Sequence, residues 1–256
     1  MSNPEAEHVH DHCTNDPPLE GNQQSSGEII KISDIETYVS KPADPDSSKL
    51  LLFFTNGVGF KSVNNQLQAD QYAKEGYFVL MPDLFEGDPA PNAASVVAQA
   101  ESNDWLETVK MAAVGGVKQF MIDMWLARHS LERTLPVVER FYGAAKQEFS
   151  EQASNGIYAV GYCFGAKYVL RLNSAGKLKA GAVAHGILTL EDFKGLKSPI
   201  SLACVVGDPF FADDARKQAE DLLADSELTH EFRVYEGVPH GTVTLPARLP
   251  DANRPL

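Results

Sequence analysis

A chain of 256 residues, 43% hydrophobic and 22% charged, can bury one large α/β core. Its formal charge of −13 repels phosphate backbones and anionic lipid heads, which argues against nucleic-acid and membrane-surface partners. No apolar run approaches the roughly 20 residues of a membrane helix, and Met1-Ser2-Asn3-Pro4-Glu5 has neither the basic start nor the apolar stretch of a secretory signal, so a cytoplasmic location is expected.

Residues 1–27 are rich in Asn, Pro, Gly, Ser, Gln and His, and predict a loose N-terminal arm. Within it, His8-Val9-His10-Asp11-His12-Cys13 has the residue types of a metal cluster. No second ligand group stands elsewhere in the sequence, so the run reads as a solvated arm. Residues 28–256 read as one α/β domain. Ile35 to Val39 predicts an antiparallel edge strand, and Lys49 to Thr55 is a continuous apolar run suited to a strand buried on both faces. A helix is expected over Val63 to Glu75, with Val63, Leu67 and Tyr72 on one side and Gly76 as its stop. Tyr77 to Met81 is the next strand, followed by a helical excursion over about 84–150 with helices near Trp105–Ala127 and Leu135–Ser150. Its Trp105, Met111, Phe120, Met121, Met124 and Trp125 are expected mainly as core or lid packing, with Trp125 a candidate for the substrate pocket.

The second half alternates more tightly. Strands are predicted at Ile157–Val160, Ala180–Ala184, Ile200–Val206 and Glu231–Tyr235, with helices at Ala166–Leu172 and Asp213–Leu223. Strands separated by such helices imply a doubly wound, mainly parallel sheet flanked by helices, the α/β-hydrolase arrangement.

Gly161-Tyr162-Cys163-Phe164-Gly165 lies between a strand and a helix, the context of a nucleophile elbow. Glycines two before and two after the central residue let a tight turn push Cys163 up at the sheet's C-terminal edge. The helix dipole there favours a thiolate, and the Phe164 backbone N–H is placed to meet an oxyanion. Asp208 follows the strand ending at Val206, and His240 follows the last strand. The order nucleophile, acid, base at successive strand ends is the order of α/β hydrolases. In it His240 takes the thiol proton and returns it to the leaving alkoxide, while Asp208 fixes the imidazole tautomer. A second oxyanion donor is expected at Gly57, in Thr55-Asn56-Gly57-Val58-Gly59, with the Asn56 side chain near the thiol. Cys204, in an apolar run, reads as core packing. His129 and His185 have no partner that the sequence names, and His185 reads as structural.

These residues resemble the dienelactone hydrolases, and their fungal members especially. The resemblance is carried by GYCFGA at 161–166, GDPFFADDARKQ at 207–218, YEGVPHG at 235–241 and TNGVGFKSVNNQLQADQYAKEGYFVLMPDLFEGD at 55–88, and it spans about residues 27–245. It implies a hydrolase of small carboxylic esters or lactones with a Cys163–His240–Asp208 triad, and neither cofactor nor metal. Bacterial members carry a Glu where this chain has Asn56. They also hold the substrate carboxylate with two arginines, where this chain has Gly87 and Thr244. A substrate less charged than dienelactone is therefore expected.

The fold normally closes with a helix after the histidine. Here the 16 residues after His240 include Pro246, Pro250 and Pro255, which predicts no packed closing helix. The expected assembly is a monomer or a homodimer. Two rival readings are a catalytically silent relative that binds a ligand, and a non-hydrolytic step on a biosynthetic intermediate.

Overall fold

A computed structural model describes residues 24–91, 120–238 and 240–241. Eight strands form one sheet: β1 (Glu28–Ile32), β2 (Ile35–Ser40), β3 (Lys49–Phe54), β4 (Tyr77–Pro82), β5 (Ile157–Tyr162), β6 (Ala180–Ala184), β7 (Ile200–Val205) and β8 (His230–Tyr235). Their order across the sheet is β1-β2-β4-β3-β5-β6-β7-β8. The β1–β2 and β2–β4 pairs are antiparallel and all the others parallel.

Alternation along β3 explains why the run KLLLFF is continuously apolar. Leu50, Leu52 and Phe54 enter the core on one face, while Leu51 and Phe53 enter a second core on the other. The first face is covered by α2 (Leu131–Glu148) and α4 (Ala166–Ser174), through Val138, Phe141, Tyr168 and Val169. The second is covered by α1 (Val63–Lys74), through Ala69, Tyr72 and Ala73. Short α3 (Ser150–Ser154) leads into β5, and α5 (Asp213–Ala224) joins β7 to β8.

Several boundaries differ from the sequence reading. Ile35–Ser40 is not an edge strand, because β1 lies outside it, joined through Ser33 and Asp34. Both of these have positive φ (50° and 66°), the backbone of a two-residue type I′ hairpin. α2 begins four residues before the expected Leu135. Ser130 caps its start, the Ser130 carbonyl accepts from the Thr134 N–H at 3.0 Å, and Pro136 is accommodated inside the helix. On α1, Val63 is exposed in the first turn rather than aligned with buried Tyr72. Buried Asp70 of that helix instead ties it to the sheet by accepting from Tyr38 Oη and Ser40 Oγ at 2.7 Å each.

Residues 120–128 are helical. Phe120, Met121 and Met124 there are exposed, against the expectation of packing, while Ile122 and Trp125 are buried. One helix face can reach the core, and it is the face carrying Ile122 and Trp125. Trp105, Met111, the N-terminal histidine run with Cys13, and the segment expected to lack a closing helix lie outside the described residues. Among the described residues no helix is long and apolar enough to cross a membrane.

Candidate active site

β5 runs directly into a short 3-10 turn, Cys163–Gly165, and then into α4. Cys163 sits at φ +49°, a left-handed conformation rare for a residue with a side chain. The flanking glycines make the turn sterically possible. A Cβ on Gly161 would lie 2.7 Å from the Gly165 carbonyl oxygen, and one on Gly165 would lie 2.2 Å from the Phe54 carbonyl oxygen at the end of β3. Backbone hydrogen bonds hold the turn from two sides. The Gly165 N–H donates to Thr55 O at 3.1 Å, and the Cys163 carbonyl accepts from the Ile187 N–H at 3.2 Å. The result is a thiol presented at the C-terminal edge of the sheet, buried to 2% exposure.

Asp208 and His240 reach the same edge from beyond β7 and β8. His240 Nδ1 lies 2.7 Å from Asp208 Oδ2, with both side chains essentially inaccessible to solvent. The other carboxylate oxygen, Oδ1, accepts from the Phe210 N–H at 2.9 Å, so the acid is clamped at both ends. Burial, the largest single influence on the ring, pulls its pKa down. The hydrogen bond to Asp208 and the interaction with Cys163 outweigh it and lift the pKa from 6.5 to about 9. His240 Nε2 is shielded from solvent and meets no acceptor at standard hydrogen-bond geometry, while the sulfur beside it favours a proton on the ring. The Phe210 ring packs at 4.8 Å against the imidazole.

The sequence reading assigns His185 to structure, and the coordinates put it in the site. One ligand atom each from Cys163, His185 and His240 lie within 4.8 Å of one another. The His185 ring meets that of His240 edge-on at 5.0 Å, and its Nδ1 is buried without a hydrogen-bond partner. The register explains the placement: Tyr162 of β5 pairs with Ala184 of β6, so the residues that follow, Cys163 and His185, emerge side by side. That signal was available in principle, since His185 ends a parallel strand as Cys163 does.

Gly57 lies buried in the loop after β3, its carbonyl accepting from the Ala90 N–H at 2.8 Å. Asn56 is half-buried, with Oδ1 accepting from Asn65 Nδ2 at 3.0 Å, so its amide is oriented by α1. The Phe164 ring packs into a cluster with Phe85 and Trp125, at 5.2 Å from each. Trp125 Nε1 donates to the Asp88 carbonyl at 2.8 Å, which fixes the indole as a wall behind the elbow. Cys204 is buried in β7, and its thiol is pushed up to about 12, chiefly by burial.

The family model described as "Dienelactone hydrolase family" matches residues 35–248. The chain belongs to the dienelactone hydrolase family. Among curated relatives, Hydrolase pyvD of Aspergillus violaceofuscus is 32% identical over 219 residues, 85% of this chain and 79% of its own. Hydrolase tropI of Talaromyces stipitatus is 32% identical over 216 residues, 84% of this chain and 78% of its own. Among solved structures, a putative dienelactone hydrolase of Klebsiella pneumoniae superposes with a TM-score of 0.64 at 13% identity, covering 85% of this chain and 88% of the other. The α/β-hydrolase fold and the fungal leaning of the resemblance both agree with these matches. As a dienelactone hydrolase family member, the chain is an enzyme that hydrolyses carboxylic esters or lactones.

Proposed function

We propose that this family member cleaves its ester or lactone through a thioester on Cys163. The sulfur attacks the carbonyl carbon as a thiolate, and the oxyanion is met by the backbone N–H groups of Phe164 and Gly57. As the tetrahedral adduct collapses, the C–O bond breaks and His240 Nε2 gives its proton to the departing alkoxide. For a lactone the alkoxide remains tethered to the acyl group. Water, losing its proton to the same nitrogen, then attacks the thioester and releases the carboxylate and the thiol. Asp208 holds the ring so that Nε2 always points inward.

The observation that carries this reading is the 2.7 Å Asp208–His240 contact, which aims the ring's second nitrogen into the cluster containing the Cys163 sulfur. The substrate is of low charge. Gly87 and Thr244 stand where bacterial members have arginines, and Arg128, beside Gly87 in space, is engaged with Asp88 at 3.0 Å. The aromatic wall of Phe85, Trp125 and Phe164 suits an apolar or planar acyl group.

Cys163→Ala tests the proposal with p-nitrophenyl acetate as substrate. Cleavage should fall by at least about 1,000-fold while circular dichroism stays unchanged. Full activity in a folded variant would refute it.

A further inference from the structure

The hydrolytic cycle uses Cys163, Asp208 and His240, and leaves His185 without a task. Yet His185 presents a ring nitrogen to the same small volume as the sulfur of Cys163 and the nitrogen of His240, all three residues being buried. We propose that Cys163, His185 and His240 form a binding site for a thiophilic divalent cation of the zinc type, and that filling it arrests hydrolysis.

The donor set is one thiolate and two imidazoles, the set that borderline-soft d10 ions prefer. Tetrahedral zinc holds such donors about 3.3–3.6 Å apart, so atoms within 4.8 Å of one another need to draw together by less than about 1.5 Å. The fourth position is left to water or to a substrate oxygen. An outer shell is also in place. Asp208 holds His240 Nδ1 at 2.7 Å, the carboxylate–histidine arrangement that orients a metal-binding ring. His185 Nδ1 is buried with no hydrogen-bond partner, a condition that normally costs about 1–3 kcal/mol. A cation answers the electron pairs of both rings at once, which a single shared proton does not.

Binding expels the thiol proton to solvent and places the metal on the lone pairs that hydrolysis needs. The arrest of turnover rests on the proposed thiol mechanism; the binding itself does not.

Cadmium is the direct probe, because a thiolate-to-cadmium bond absorbs in the ultraviolet. The N-terminal histidine run is a second potential ligand source, so the titration is made on the full chain and on the full chain with His8, His10 and His12 changed to Ala. Both should show the charge-transfer band saturating at one cadmium per chain. Cys163→Ser should abolish the band. His185→Asn should weaken binding by at least about 100-fold; asparagine is chosen because it tolerates the φ of +38° at this position, and a matched thermal melt verifies the fold. One equivalent of zinc should stop ester cleavage, and EDTA should restore it. The metal site is overturned by absence of the band in folded protein, by its loss with the arm histidines, or by undiminished affinity in folded His185→Asn. Zinc binding that leaves the rate untouched overturns the arrest. Cadmium binding with the expected ligand dependence, in a protein that cleaves no ester, overturns the hydrolytic reading and supports the metal site.

Discussion

Asp208→Asn is the substitution whose effect the geometry predicts most closely. The ring of His240 has its pKa raised from 6.5 to about 9 even though burial, the strongest influence, works in the opposite direction. That net rise is on the order of 3 kcal/mol in favour of the protonated ring. The hydrogen bond to Asp208 is the largest single influence that raises it, so up to about 3 kcal/mol of that preference, roughly 100-fold, should disappear with its charge. A second effect compounds the first. The asparagine Oδ1 can still accept from the Phe210 N–H, as the aspartate does at 2.9 Å, which turns the amide NH2 toward His240 Nδ1. The ring must then accept at Nδ1 and carry its proton on Nε2, where it cannot take one from the thiol. In serine–histidine–aspartate enzymes this tautomer reversal lowers turnover by about 10⁴. Turnover of p-nitrophenyl acetate by Asp208→Asn at pH 7.5 should therefore fall by about 10²–10⁴ with an unchanged far-ultraviolet spectrum. A folded variant within threefold of the parent rate would show that the carboxylate is a structural brace and not part of the proton path.

Other expectations follow from the same coordinates. The proton on His240 persists up to about pH 9, so turnover, which needs that proton for the leaving alkoxide, should decline above about 9 instead of above 6.5. Alkylation of Cys163 by iodoacetamide, which needs only the thiolate, should not decline with it. At neutral pH iodoacetamide should label Cys163 and spare Cys204, whose thiol is held protonated up to about 12; peptide mapping with equal labelling of both would contradict the assignment of roles. Burial raises Tyr72 and Tyr168 to about 12 and Tyr162 well beyond 10. Their contribution is intact below pH 10 and is lost as pH climbs through the folded values, on the order of 3 kcal/mol for each of the first two. Cooperative unfolding near pH 11, seen together in phenolate absorbance and circular dichroism, is expected; gradual titration of a native fold would be inconsistent with it. Gly165→Ala places a methyl 2.2 Å from the Phe54 carbonyl oxygen, which sits in a strand and cannot yield. The variant should lose at least about 3 kcal/mol by urea denaturation, or fail to accumulate; a change under 1 kcal/mol would mean that the elbow has room to move.

The parts legible in the sequence are those where one local pattern answers one physical demand. β3 and β4 are readable because burial on both faces demands unbroken apolar runs. The elbow is readable because two glycines at fixed offsets answer two close backbone approaches. β1 is harder. As the outermost strand it keeps Glu28 and Ile29 exposed, so EIIKI carries neither a clean alternation nor a closed apolar run, and β2 then looks like the edge. The start of α2 is obscured by Pro136, which the helix accommodates inside rather than at its first turn. His185 illustrates the deeper limit. No motif surrounds it, and its significance appears only once β6 is laid beside β5 in the observed register. Phe120, Met121 and Met124 are apolar in composition yet exposed, because residue type alone does not say which face of a helix meets a core.

The left-handed backbone at position 163 also acts as a filter on chemistry. A side chain with a single heavy atom beyond an unbranched Cβ can live at φ +49°, whereas a second substituent on Cβ meets the neighbouring peptide. Serine could therefore inherit the position with its geometry intact, and threonine could not. The turn that lifts the sulfur into reach thus also bars any nucleophile branched at Cβ from this position.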